Sequence, residues 1–103
     1  MIKIFVKEED GKISYLKITG HAGYQNKGKD IVCAAVSAIG IGTLNALDQY
    51  CAKDCKLKLE DDLIEIQVIN ESTSSDWIMR TCFIQLKSVA EDYSSYIRIT
   101  KGD

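Results

Sequence analysis

One stretch constrains this chain more than any other: from Ile31 to Leu47 there is no charged residue. The run is slightly short for a bilayer span of about 20 residues, and it carries Ser37, Gly40, Gly42, Thr43 and Asn45. A long helix buried against the rest of a small domain satisfies it better. Apolar residues occur on nearly every face until Asp48, so this helix, extending to about Ala52, is expected to be central and buried. Gly40 and Gly42 weaken a helix, and close packing against a sheet or a partner helix would account for them.

The flanking segments read as strands and a second helix. Residues 2–7 alternate apolar and charged, Asp10-Gly11 is a hairpin turn signal, and residues 13–19 return. Residues 56–60 and 63–69 alternate around Asp61-Asp62 and form a second hairpin. The tract Ser72 to Asp76 offers helix caps, with Thr73 and Asp76 spaced as a capping box for a helix from about Ser75 to Asp92. Met79, Cys82, Phe83, Leu86, Val89, Ala90 and Tyr93 recur at three and four and make its apolar stripe. A last strand is expected at residues 95–100. The order ββαββαβ implies an α/β (α+β) domain in which a mixed sheet is covered by two helices.

A chain of 103 residues with 46% hydrophobic and 27% charged residues is expected to form one globular domain, residues 1–103. Dimerisation would usefully cover more of so small a surface. A net charge of −2 provides no basic field for a nucleic acid backbone. The N-terminal residues alternate like a strand and lack an apolar signal core, so the four cysteines are read as reduced thiols in the cytoplasm. With a single histidine and no Cys-x-x-Cys pair, the pattern argues against zinc, and no cofactor is implied. Gly40-x-Gly42 lacks the lysine of a phosphate-binding loop.

Two residues stand out as chemistry. His21 lies in a glycine-flanked turn after a strand, and Cys33 sits about three residues into the long helix, behind its expected cap Asp30. Most free cysteines are small buried hydrophobes, and a lone histidine is commonly a surface residue. Here, however, the start of a helix favours thiolate over thiol, and a neighbouring imidazolium adds to the effect. The eleven residues between His21 and Cys33 can fold back and bring the two together. Free amides at the helix start can then donate to an oxyanion. Asp30 is read first as the cap and second as an orienting partner for His21. Ser37, one turn after Cys33, can line the same site. Cys82 falls on the apolar stripe, and Cys51 and Cys55 lack a second ligand pair.

The residues Gly20-His21-Ala22-Gly23-Tyr24 and Gly28-Lys29-Asp30-Ile31-Val32-Cys33-Ala34-Ala35-Val36-Ser37-Ala38 resemble the ribosomal-processing cysteine protease family, Prp. The matching segment covers about a fifth of the chain. The resemblance implies a His21–Cys33 catalytic dyad, with Asp30 and Ser37 as supporting positions. It also implies a compact homodimer that removes a short N-terminal extension from ribosomal protein twenty-seven of the large subunit. The segment Ala22 to Lys29, with Gly23 and Gly28, would be the loop that orders over the substrate peptide. Rival classes are a non-catalytic ribosome-associated binding module and a thiol redox protein. The acidic net charge weighs against direct RNA contact but not against a ribosomal protein partner, and no membrane association is implied. No resolving cysteine lies close to Cys33 in the sequence.

Overall fold

The computed structural model describes residues 1–26 and 30–102. Five strands and two helices follow the expected order: β1 (Ile2–Glu9), β2 (Lys12–Thr19), α1 (Ile31–Cys51), β3 (Cys55–Glu60), β4 (Leu63–Val68), α2 (Thr73–Asp92) and β5 (Ile97–Gly102). A single 3-10 turn, Ala52–Asp54, leads from α1 into β3. The sheet order is β3-β4-β2-β1-β5. Only the β1–β5 pairing is parallel; β1–β2, β2–β4 and β3–β4 are antiparallel.

Strict alternation gives the sheet one buried face. Ile2, Ile4 and Val6 of β1, Leu16 and Ile18 of β2, and Ile64, Ile66 and Val68 of β4 point into the core. Lys3, Lys17 and Gln67 stand on the opposite side, as expected for a sheet with one solvated face. Met79, Cys82 and Leu86 of α2 and Val32, Val36, Leu44 and Leu47 of α1 close the core from above. Each fully buried aliphatic side chain contributes about 1.5–3 kcal/mol.

The long helix lies centrally, but its burial is confined to one stripe: Val32, Val36, Gly40, Thr43, Leu44, Leu47 and Cys51. By length and composition alone it is apolar enough to cross a membrane, although a third of that apolar window is buried against the domain. Its outer face keeps Ile31, Ile41 and Tyr50 exposed. The all-round burial expected from composition is absent because the sheet and α2 reach only one side of the helix. Gly40 fulfils the expectation of close packing: a Cβ there would sit 2.6 Å from Ile64 Cδ1 and 3.2 Å from Ile18 Cδ1. Gly42 does not, for a Cβ there would meet nothing within 4 Å.

Caps set both helix starts. Asp30 begins α1, its Oδ1 accepting from the amides of Val32 and Cys33, each at 3.0 Å. At α2 the capping box is displaced by one residue from the expected Thr73–Asp76 pair. Ser72 accepts from Ser75 N at 3.1 Å, and Ser75 Oγ accepts from Ser72 N at 3.0 Å. The helix therefore starts at Thr73, and Asp76 is left to pair with Arg80 at 2.8 Å. In a tract of consecutive hydroxyl residues several caps are chemically equivalent, and burial decides: Ser75 is almost wholly enclosed.

Gly20 ends β2 with φ 87°, and an added Cβ would lie 2.5 Å from the carbonyl oxygen of Met1. Left-handed strain and a backbone clash coincide there. Gly20→Ala is expected to destabilise the fold by about 2–4 kcal/mol, lowering Tm by on the order of 10 °C in a thermal melt. For Asp30, burial pushes the carboxyl pKa up, but hydrogen bonds from the Cys33, Tyr24 and Gln25 amides outweigh it and hold the pKa below the ordinary 3.8. A carboxyl with a depressed folded pKa stabilises above its unfolded value and ceases to do so as pH falls through its folded value. The stability advantage of the wild type over Asp30→Asn is therefore expected to be complete at neutral pH and to shrink below about pH 3.8, as followed by urea melts across the acid range.

Candidate active site

The end of β2, the central strand, and the start of α1 meet at one end of the sheet. Gly20 turns the chain out of β2 and places His21 at the surface, while the Ala22 side chain turns inward to the core. The loop is then tied to the helix start. Asp30 Oδ2 accepts from Tyr24 N at 3.1 Å and from Gln25 N at 3.5 Å, while its other oxygen caps α1. Tyr24 adds an apolar tether, its ring edge-on to Tyr93 and Tyr96 at 5.7 and 5.1 Å between centroids.

This bracing brings Cys33 beneath the His21 turn. The amide of Ala22 donates to Cys33 Sγ at 3.2 Å, so the residue after His21 touches the sulfur directly. Cys33 is half-buried on the first turn of α1, where the helix N-terminus and the Ala22 N–H both aim positive ends of dipoles at it. His21 Nε2 lies 2.9 Å from Asp62 Oδ1, in the β3–β4 turn. No hydrogen bond joins the imidazole to the thiol, and such contacts commonly tighten only with substrate bound.

A cleft of about 570 Å³ contains both groups. Cys33, Ala34 and Ser37 of α1 form one wall, the segment Leu59–Ile64 the other, and His21, Gly23 and Asp30 one end. Ser37 thus stands on the same cleft wall as Cys33. Ala22, expected beside the groove, contributes its backbone amide rather than a wall. Gly23 is exposed at the rim with φ 71°. Gly28 lies outside the described residues.

Two expectations about polar groups change. The helix-start amides read as free oxyanion donors are occupied: Val32 and Cys33 donate to the Asp30 side chain and Ala34 to the Asp30 carbonyl, each at 3.0 Å. Asp30 accepts from four amides, and its contacts are with the loop and the helix rather than with His21. The acid that contacts the imidazole is Asp62, which the sequence marked only as a turn residue. Its β2–β4 register, Thr19 opposite Leu63, is what sets it beside His21, and no local pattern reveals that register.

The other thiols are poor nucleophile candidates. Burial, with Cys51 and its hydrogen bond next, pushes the Cys55 thiol up to about 12. Burial likewise raises Cys82, which the Thr43 hydrogen bond only partly offsets. Neither is a thiolate near neutral pH.

The whole arrangement has close relatives. A protein of Mycoplasma genitalium described as ribosomal processing cysteine protease Prp is 31% identical over 101 residues, covering 98% of this chain and 96% of that protein. The Staphylococcus aureus protein of the same description is 28% identical over 94 residues, 88% of this chain and 89% of its own length. A crystal structure of the essential S. aureus ribosomal processing protease Prp with a covalently linked product peptide superposes with a TM-score of 0.92 at 26% identity, covering 99% of this chain and all of the other. The same protease with a substrate peptide gives a TM-score of 0.81 at 25% identity, again over 99% of this chain and all of the other. The family model for cysteine protease Prp matches residues 1–98, and with a five-stranded mixed sheet and two helices superposing on a solved Prp structure, this chain belongs to the cysteine protease Prp family.

Proposed function

We propose that this chain is a cytoplasmic cysteine endopeptidase that removes the short N-terminal extension of ribosomal protein twenty-seven of the large subunit, with Cys33 as nucleophile and His21 as acid and base. The observation that carries the reading is the Ala22 N–Cys33 Sγ contact, which ties the histidine turn to the sulfur at a cleft able to hold an extended peptide. Cys33 thiolate adds to the scissile carbonyl carbon. Collapse of the tetrahedral intermediate breaks the C–N bond as His21 gives its proton to the leaving amine. Water, deprotonated by His21, then hydrolyses the thioester and returns the thiolate and imidazolium. Asp30 supports this chemistry by fixing the helix start that carries Cys33, and Ser37 places a hydroxyl along the substrate path. Ile18, Ile41, Leu59 and Leu63 on the cleft wall suit apolar substrate side chains.

We also propose that the active form is a homodimer. The two helices leave Trp77 of α2 65% exposed beside Ala38, Gly42 and Ala46 of α1, and Ile84, seven residues further along α2, 64% exposed. A second copy with the same apolar face is the self-complementary cover that a two-fold dimer requires.

Incubated with a peptide copying the extended N-terminus of the ribosomal protein, the wild type produces two fragments by mass spectrometry. Cys33→Ala and His21→Ala lower the rate by about 10³–10⁴-fold or more, and iodoacetamide at neutral pH labels Cys33 before the other three thiols. Binding of that peptide without cleavage would instead favour a non-catalytic module. In sedimentation, the wild type runs at twice the 11.5 kDa chain mass, and Trp77→Glu shifts it to the monomer with the far-UV spectrum unchanged.

A further inference from the structure

Among the acids that line the cleft, Asp62 is the one in contact with the His21 ring. We infer that Asp62 is the positioning residue for His21, holding the imidazole by its distal nitrogen so that Nδ1 is turned to the Cys33 sulfur. The inference rests on the protease reading above and extends it to a third residue from the opposite wall.

The geometry comes from three constraints. First, backbone pairing places the β3–β4 turn against the end of β2: Thr19 pairs with Leu63, and Gly20 N donates to the Asp62 carbonyl at 3.3 Å. Asp62 is thus anchored to the residue immediately before His21. Second, the Asp62 carboxylate lies 2.9 Å from Nε2, so Nε2 must carry a hydrogen whether the ring is neutral or charged. In the neutral ring the lone pair is then on Nδ1, the basic nitrogen. Third, the sulfur lies near the backbone end of the histidine. Ala22 N is 3.2 Å from Sγ, and one peptide unit separates that nitrogen from the His21 Cα, so the base of the imidazole side chain lies within about 5.6 Å of the sulfur. Nδ1 is the ring nitrogen nearer the backbone. With Asp62 on the far nitrogen, the near one is left for the thiol.

Asp30 does not compete for this role, because its two oxygens are engaged by four amides. Glu60 and Asp61 share the rim of the cleft, while the His21 ring contacts Asp62. The His21 and Asp62 side chains are 64% and 51% exposed, so the pair orients rather than stabilises the fold.

The backbone supplies a clean test. Asp62 has φ 61°, a conformation that glycine and asparagine accept. Asp62→Gly removes the acceptor and keeps the turn; Asp62→Asn keeps both the turn and an oxygen for Nε2–H. Asp62→Gly is expected to lower kcat for the extension peptide about 10-fold with KM within twofold. That is far below the roughly 10⁴-fold effect of a buried triad carboxylate, because the pair is half exposed. Asp62→Asn is expected to retain kcat within about threefold. His21 is the only histidine, so ¹³C relaxation at its ring carbons reports one site without ambiguity. The ring is expected to be ordered in the wild type and Asp62→Asn, and mobile in Asp62→Gly. Wild-type kcat in Asp62→Gly, a loss confined to KM, an Asp62→Asn variant as impaired as Asp62→Gly, or unchanged ring order would each overturn the proposal. If the wild type cleaves no peptide, the protease reading fails by itself, and the relaxation data still decide whether Asp62 holds the ring.

Discussion

The carboxylate of Asp30 is the joint on which the site depends. One oxygen satisfies two amides of the first turn of α1, and the other satisfies two amides of the incoming loop. Neither partner would keep its geometry alone. A helix start needs acceptors for its orphan N–H groups, and a glycine-flanked loop has little apolar surface to fix it. By serving both, a single side chain sets the spacing between the histidine turn and the helix that carries the cysteine. The same economy has a consequence: the helix-start amides that build the site are already engaged and are not free for another acceptor.

A second theme is the division between floor and rim. The sheet and helices supply a rigid apolar floor, built from buried residues such as Val32, Val36 and Ile64. The chemistry stands on turns at its edge: Gly20–Gly23 on one side and Asp61–Asp62 on the other. Both turns contain left-handed residues, Gly20, Gly23 and Asp62. Such conformations hold side chains at angles that regular strands cannot reach.

Much of this was legible in the amino acids. Alternation revealed the strands to within about two residues, because one face of the sheet is buried and the other wet. Asp10-Gly11 announced its hairpin, and both residues have positive φ. His21, Cys33 and Asp30 were legible as a group, since a thiol near a capped helix start has a local physical meaning. What was hidden depended on long-range register or on choices among equals. Asp62 reaches His21 only because β2 and β4 pair in one particular alignment. Ser72 displaced Thr73 as cap through burial that composition does not encode. The apolar run of α1 concealed which of its faces would remain uncovered, because that depends on the reach of α2.

The contact between Gly20 and the first residue also bears on how the protein is handled. The carbonyl of Met1 packs against the glycine that precedes His21, so anything fused ahead of Met1 emerges beside the His21 turn. Strand β5 runs parallel to β1, with Ile97 beside Ile2 and Gly102 beside Lys7, so the other end of the chain leaves from the opposite margin of the sheet. Affinity handles and fluorophores therefore belong at the C-terminus, where they are remote from the His21 turn.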